Sequence, residues 1–237
     1  MSLRGSEDAA ARAAAADGVA ADVAAGNAAG APAAEAVATG APAPAAAGGA
    51  VAPAADAAPV PLSLPLDRAA LATLRAGDAC TLTGPLYTLR DAGHMRLLAE
   101  MDTRGTDELP YGLAGQTIFY AGPTPASAGR PFGAIGPTTA SRMDFAAPRL
   151  YRAGVAATLG KGVRSDAVRA ACRETGSVYF IAVGGAAAYL AKCVVSEQVV
   201  AYPDLGTEAL RRIEVKDFPV FVGIDVTGAC VYDEVGR

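Results

Sequence analysis

A compositional break near residue 60 divides the chain into two kinds of sequence, and only the second can build a core. The first sixty residues are about half Ala, with most of the rest Gly, Pro, Asp and Val. All 6 Phe, all 8 Tyr and all 4 Cys lie beyond residue 61. The opening MSLRGSEDAAARAAAADGVAADV has helix-favouring alanines, but its only large side chains are Met1 and Leu3. Such a segment buries too little apolar surface to offset the entropy of ordering it. From Gly26 onward, Gly and Pro recur among the alanines, as in a flexible, semi-extended linker. The expected organisation is a disordered Ala/Gly/Pro-rich tail over residues 1–60 and one folded domain over residues 61–237.

Charge divides at the same place. Arg4 and Arg12 face six acids in the tail, which accounts for the whole net charge of −4. The remainder carries equal numbers of acids and bases, which argues against a general nucleic-acid binder. The tail fails as a secretion signal, because acids follow its weak basic start and no Leu/Ile-rich segment appears. No window approaches the ~18–20 apolar residues of a membrane span. Cys80, Cys172, Cys193 and Cys230 lack CxxC spacing and make neither a disulfide framework nor a metal site by pattern. A cytoplasmic location is expected.

Within 61–237, strand and helix patterns alternate. LPLDRAALATLRAGD has Leu66, Ala70, Leu71 and Leu74 on one helical face, stopped by Gly77. ACTLTG (79–84) reads as a strand running into PLYT. Residues 91–100 read as a helix with Met95, Leu98 and Ala99 inward. QTIFYAGP (116–123), FGAIGPTT (132–139), VAATLGKG (155–162) and VYFIAVG (178–184) read as strands. Helices are expected over 141–152, SDAVRAACRETG and GAAAYLAKCV. SEQVVAYPDL, RRIEVKDF and VFVGIDVTG read as three closing strands. The alternation predicts an α/β domain with a mixed or parallel sheet.

Three Gly-rich joints follow strand patterns, and each holds a cation or hydroxyl. Glycines let backbone N–H groups approach an anion without Cβ obstruction. TGPLYTLRDAGH contains Arg90, Asp91 and His94. GPTTASRMD places Thr138 and Thr139 before a helix and Arg142 in its first turn. GKGVRS holds Lys161, one of only 3 Lys among 20 basic residues. Two guanidiniums, each able to grip a carboxylate through two parallel bonds, plus an ammonium point charge, describe a small-anion site. A phosphate satisfies the same pattern as a dicarboxylate. Each residue also has a purely structural alternative: an Arg90–Asp91 ion pair, a packed and hydrogen-bonded His94, an N-cap at Thr138 or Thr139, and close packing at Gly184–Gly185. Asp144 and Glu214 read as solvated charges or ion-pair partners. GxGxxG and the Walker signature are absent.

TGPLYTLRDAGHMRL, GPTTASRMD, LGKGVRS, VGGAAAYLAKCV and YPDLGTEALRRIEVKDFPVFVGIDVTG, in this order, resemble the β subunit, or C-terminal catalytic region, of the class I iron–sulfur fumarate hydratases and their L-tartrate dehydratase relatives. The likeness spans roughly residues 62–235. Ser141 and Val163 stand where the family pattern has Gly and Asn, and Gly93 where it has Ala. No departure removes a charged or hydroxyl group.

The resemblance implies a swivelling β/β/α domain with mixed sheets. It also implies a hydro-lyase subunit interconverting (S)-malate and fumarate in a heterodimer or heterotetramer. The α partner would hold a 4Fe–4S cluster by three cysteines, leaving one iron open as a Lewis acid; this chain would hold no metal. By motif match, Arg90, Thr138, Arg142 and Lys161 are substrate contacts, and Thr138, Arg142 and Lys161 the catalytic set, with Thr138 the proposed remover of the C3 proton. A free Thr hydroxyl is a weak base and needs an activating neighbour. Alternative readings are an L-tartrate or mesaconate dehydratase β subunit, or a non-catalytic dicarboxylate-binding regulatory subunit. Neither nucleic acid nor membrane is an expected partner.

Overall fold

The computed structural model describes residues 58–126, 129, 131 and 133–233. The expected tail lies outside the described residues except for Ala58, Pro59 and Val60. Val60 is not tail: it opens a strand, β1 (Val60–Ser63), which the sequence reading missed. Asp67 then caps α1 (Arg68–Thr73) by accepting from the Ala70 N–H at 2.6 Å. Leu66, Leu71 and Leu74 are buried as the pattern requires.

Five strands run parallel: β1, β2 (Ala79–Thr88), β3 (Thr117–Phe119), β4 (Ala157–Gly160) and β5 (Val178–Ile181). α2 (Asp91–Arg104) follows β2, and α3 (Ala147–Arg152) lies between β3 and β4. α4 (Asp166–Thr175) joins β4 to β5, and α5 (Ala187–Lys192) leads into β6 (Val194–Ala201). The last two of the three closing strand patterns form one 15-residue strand, β7 (Leu210–Ile224). It runs antiparallel to β2, β5 and β6. Pairings therefore run β2–β3–β4–β5–β7 and back to β2, closing the sheet on itself. The sheet is mixed, in accord with the alternating pattern.

β7 reads as two strands because it is bent in the middle. Asp217 takes φ 50° and donates its N–H to Thr83 Oγ1 at 3.1 Å, next to Pro219. On the facing strand the register shifts between Leu82 and Gly84, and Gly84 has φ +123°. Glycine is required at that position, and a Cβ there would lie 2.7 Å from the Leu64 carbonyl oxygen.

Side chains alternate between two cores. Leu82, Leu86, Phe119, Leu159, Val178, Phe180 and Phe218 join Leu71 of α1 and Leu190 of α5. Tyr87, Ile118, Tyr120 and Tyr179 meet the inner faces of α2, α3 and α4. The inner face of α2 is Gly93, His94, Leu97 and Met101, whereas Met95 is 64% exposed and Ala99 is exposed. The expected Met95–Leu98–Ala99 face is therefore rotated by one position. His94 takes the inward place that Met95 was expected to fill.

Two further expectations are corrected. Among the described residues of 132–139 there is no strand; Pro137 and Thr139 form only isolated bridges to Ala121 and Lys161. The helix expected over 141–152 is broken into a 3₁₀ turn, Ala140–Met143, and α3. Pro148 has no N–H to bond residue 144, and its ring would meet that carbonyl.

Deleting residues 1–58 should leave the melting temperature unchanged, because β1 remains whole. Extending the deletion through Ser63 strips a paired strand and buried Leu62, and should lower it by about 5 °C or more in a calorimetric scan.

Candidate active site

The parallel strands deliver their carboxyl ends to one end of the closed sheet, the side on which α/β folds carry their binding loops. β2 ends at Thr88, just before Arg90 and Asp91; β4 ends at Gly160, just before Lys161. Between them runs the segment after β3. Its Thr138 donates a backbone N–H to the Tyr120 carbonyl at 2.7 Å and accepts from the Lys161 N–H at 3.1 Å. The Ala140 N–H returns to the Lys161 carbonyl at 2.9 Å. Thr138 and Lys161 are thus fixed side by side through the backbone.

The same segment turns through Ala140–Met143 and brings Arg142 to the other pair. Arg142 Nη2 stands 2.8 Å from Asp91 Oδ2, and Arg90 Nε stands 3.9 Å from the same oxygen. Arg90 Nη2 lies 3.6 Å from Glu208 Oε1, while Glu208 Oε2 accepts the Ala92 N–H at 2.8 Å in the first turn of α2. Gly122, just beyond β3, makes room for the Arg90 side chain: a Cβ there would stand 2.8 Å from Nη1 and 2.9 Å from Cδ. Gly93 likewise admits the Pro203–Glu208 turn, since a Cβ would lie 2.7 Å from the Glu208 carbonyl oxygen. All four sequence-selected residues therefore gather at one edge. Asp91 and Glu208 offset the charges of Arg90 and Arg142, while Lys161 is tied in through its backbone with its side chain passing Gly184.

A buried ion pair holds the two halves in place. The Arg164 side chain is fully buried, donates from Nε to Asp144 Oδ1 at 2.6 Å, and reaches Thr158 Oγ1 at 3.2 Å and the Tyr120 hydroxyl at 3.4 Å. Its guanidinium also lies over Tyr120 and Tyr179, 5.3 and 4.7 Å from their ring centroids. Asp144 Oδ2 accepts the Ser165 N–H at 2.7 Å. The turn bearing Arg142 is thereby tied to the loop bearing Lys161.

Sequence reasoning noticed Asp144 only as a surface charge or pairing partner, and passed over Arg164 and Glu208. The signal for the first two was an acid ending GPTTASRMD and an Arg ending GKGVR. Glu208 carries no motif; only the close approach at Gly93 reveals it.

The structural alternatives resolve one by one. Arg90 and Asp91 do pair, but Arg142 lies nearer to that carboxylate. Thr139 occupies the N-cap position of its turn without a side-chain cap bond. His94 is fully buried, its Nδ1 bonded to the Arg90 carbonyl at 2.8 Å and its ring edge-on to Tyr120. Burial foremost, with Arg164 nearby, pushes its pKa down to about 4. Close packing does not explain Gly184–Gly185: a Cβ on Gly184 would meet only Lys161 Cδ, at 3.9 Å, and Gly185 is needed for φ +83°. Glu214 pairs with Arg212.

The cysteines do not fit an iron–sulfur cluster. Cys80, Cys172 and Cys230 are buried, and burial pushes the Cys80 and Cys172 thiols up to about 12. Among the described residues no three His, Cys, Asp or Glu side chains gather as metal ligands. Among them, too, no helix is long and apolar enough to cross a membrane.

Residues 37–235 match the family model described as Fumarase C-terminus. The anaerobic class I fumarate hydratase of Escherichia coli (strain K12) is 38% identical over 184 residues, covering 76% of this chain and 33% of that protein. Fumarate hydratase 2 of Leishmania major is 37% identical over 179 residues, 74% of this chain and 31% of that one. A putative L(+)-tartrate dehydratase subunit beta of Methanocaldococcus jannaschii is 32% identical over 170 residues, 69% of this chain and 86% of its own length. The chain thus spans about a third of the length of the fumarate hydratases it matches.

Removing the Asp144 carboxylate leaves a buried guanidinium unpaired, so Asp144→Ala should cost about 3–5 kcal/mol in denaturant unfolding. His94 adds a pH dependence. Its folded pKa lies below the usual 6.5, so the unfolded chain takes up the proton first as pH falls. Stability should decline from about pH 6.5 to pH 4 by roughly 3 kcal/mol, and His94→Gln should flatten that part of the profile.

Proposed function

Because the chain belongs to the Fumarase C-terminus family, we propose that it is the β-type subunit of a class I fumarate hydratase, a hydro-lyase interconverting (S)-malate and fumarate. The observation that carries this reading is the convergence of Arg90, Thr138, Arg142 and Lys161 on one sheet edge. Residues 61–237 form its catalytic domain, which we assign to the swivelling β/β/α class, and its location is cytoplasmic. We place the 4Fe–4S cluster on an α partner, in keeping with the poor fit of this chain's own thiols. The subunit name of the archaeal tartrate dehydratase relative supports a partner. So do Phe145, Val163 and Val183, large apolar side chains on the segments that follow β3, β4 and β5, each more than half exposed.

In this reading Arg90 and Arg142 each grip a carboxylate of the substrate. Loss of the C3 proton leaves an electron pair that spreads into the adjoining carboxylate; the pair returns to form the C2–C3 double bond as the C2–O bond breaks, and the hydroxyl and the removed proton leave together as water. The fixed cations, Lys161 among them, stabilise that growing negative charge more than they stabilise the ground state. Thr138, locked beside Lys161, is the group assigned to the proton. Among the described residues no carboxylate bonds its hydroxyl, so its activation falls to the partner.

The test is the chain co-expressed anaerobically with its cluster-bearing partner and assayed on malate, fumarate, tartrate and mesaconate. Malate and fumarate turnover is expected, and Arg142→Ala and Lys161→Ala should each lower kcat by ~10²–10³-fold. Turnover of tartrate or mesaconate alone moves the substrate assignment within the family. Unaltered turnover in both variants points instead to a regulatory anion sensor.

A further inference from the structure

Asp91 is held by more than the helix dipole that favours an acid at the start of a helix. It is the first residue of α2, yet its Oδ2 is buried between two guanidiniums that arrive from separate segments, 2.8 Å from Arg142 Nη2 and 3.9 Å from Arg90 Nε. Neither contact is an aligned hydrogen bond, so the oxygen acts as a charge between cations. Arg142 is half-exposed on a 3₁₀ turn, and among the described residues Asp91 is its one ion-pair partner. Arg90 has a second carboxylate, Glu208, as well as the wall formed at Gly122. Unrestrained, the two guanidiniums repel each other, and the long Arg142 side chain would turn toward water.

We propose that Asp91 is a positioning residue: its carboxylate sets the direction of Arg142 and the spacing between Arg142 and Arg90 before a dicarboxylate arrives. This rests on the function proposed above. Asp91 also cancels one unit of positive charge, so its two effects on the reaction separate. Neutralising it frees Arg142 from its reactive direction, which lowers kcat. The same change makes the edge more cationic, so anion capture does not suffer.

The experiment compares wild type, Asp91→Asn and Asp91→Glu in the complex with the cluster-bearing partner. Expected for Asp91→Asn is a fall in kcat of about 10–100-fold, the scale of a misplaced reacting group, with KM unchanged or lower. Asp91→Glu keeps the charge on a longer arm and recovers part of the lost kcat. Wild-type kcat in Asp91→Asn, or a raised KM at constant kcat, overturns the proposal. So does a failure of Asp91→Glu to exceed Asp91→Asn. Should Asp91→Asn not fold, Asp91→Glu decides alone: lowered kcat at constant KM supports the role, and wild-type kcat refutes it.

A second readout does not depend on turnover. NMR of the arginine Nε–H groups in the chain by itself should show an ordered Arg142 in wild type and a motionally averaged one in Asp91→Asn. An Arg142 signal indifferent to the substitution refutes the positioning role. If the wild-type complex hydrates no dicarboxylate, the functional reading fails, and the NMR result still decides whether Asp91 orders Arg142.

Discussion

The arrangement of the cationic edge depends on one buried ion. Arg164 has no access to water, and a guanidinium cannot shed its proton to relieve that cost. Burial is tolerable only because Asp144, Thr158 and the faces of Tyr120 and Tyr179 surround it. Each of those partners belongs to a different piece of the fold: the turn after Thr139, the middle of β4, the end of β3 and β5. A charge that must satisfy all of them at once leaves little freedom for any. The rigidity of the Thr138–Arg142 segment, which has no sheet ladder of its own, follows from that demand.

Around this anchor the site is assembled from short-range devices. Backbone bonds join Thr138 to Lys161, and the Arg142–Asp91 pair joins the turn to α2. Glu208 joins α2 to the Pro203–Glu208 turn. That turn is held in its own right: the Tyr111 and Tyr202 hydroxyls both donate to Glu100 Oε2 at 2.8 Å, with Arg96 over the Tyr202 ring. Oppositely charged groups thus fill the edge that the proposed dianion would occupy, and the cations are presented at preset directions.

The sequence disclosed the parts of this better than their joints. Apolar alternation placed β2, short β-prone apolar runs placed β4 and β5, and the glycine after SDAVRAACRET placed the end of α4, because these signals are local. Arg90, Thr138, Arg142 and Lys161 were legible for the same reason: each sits in a Gly-rich joint after a strand pattern. What escaped was set by distant partners. β1 is too short to alternate and exists because Leu62 pairs with Leu82. The inner face of α2 follows from His94 finding a carbonyl and a Tyr120 ring. The Arg164–Asp144 pair spans twenty residues and no periodicity announces it. Pro148 was visible, yet its interruption of the helix mattered more than the flanking helical pattern.

The closing of the sheet by β7 has a consequence in time. Ala79 pairs with Phe221 and Thr88 with Arg211, so the longest strand pairing unites segments more than a hundred residues apart. Contacts so remote along the chain are slow to form, since a large loop must be ordered before any reward. During synthesis the five parallel strands emerge before β7, the strand that pairs with both β2 and β5. Nascent chains therefore pass through a stage with bare β2 and β5 edges, the condition under which sheets join the wrong neighbour.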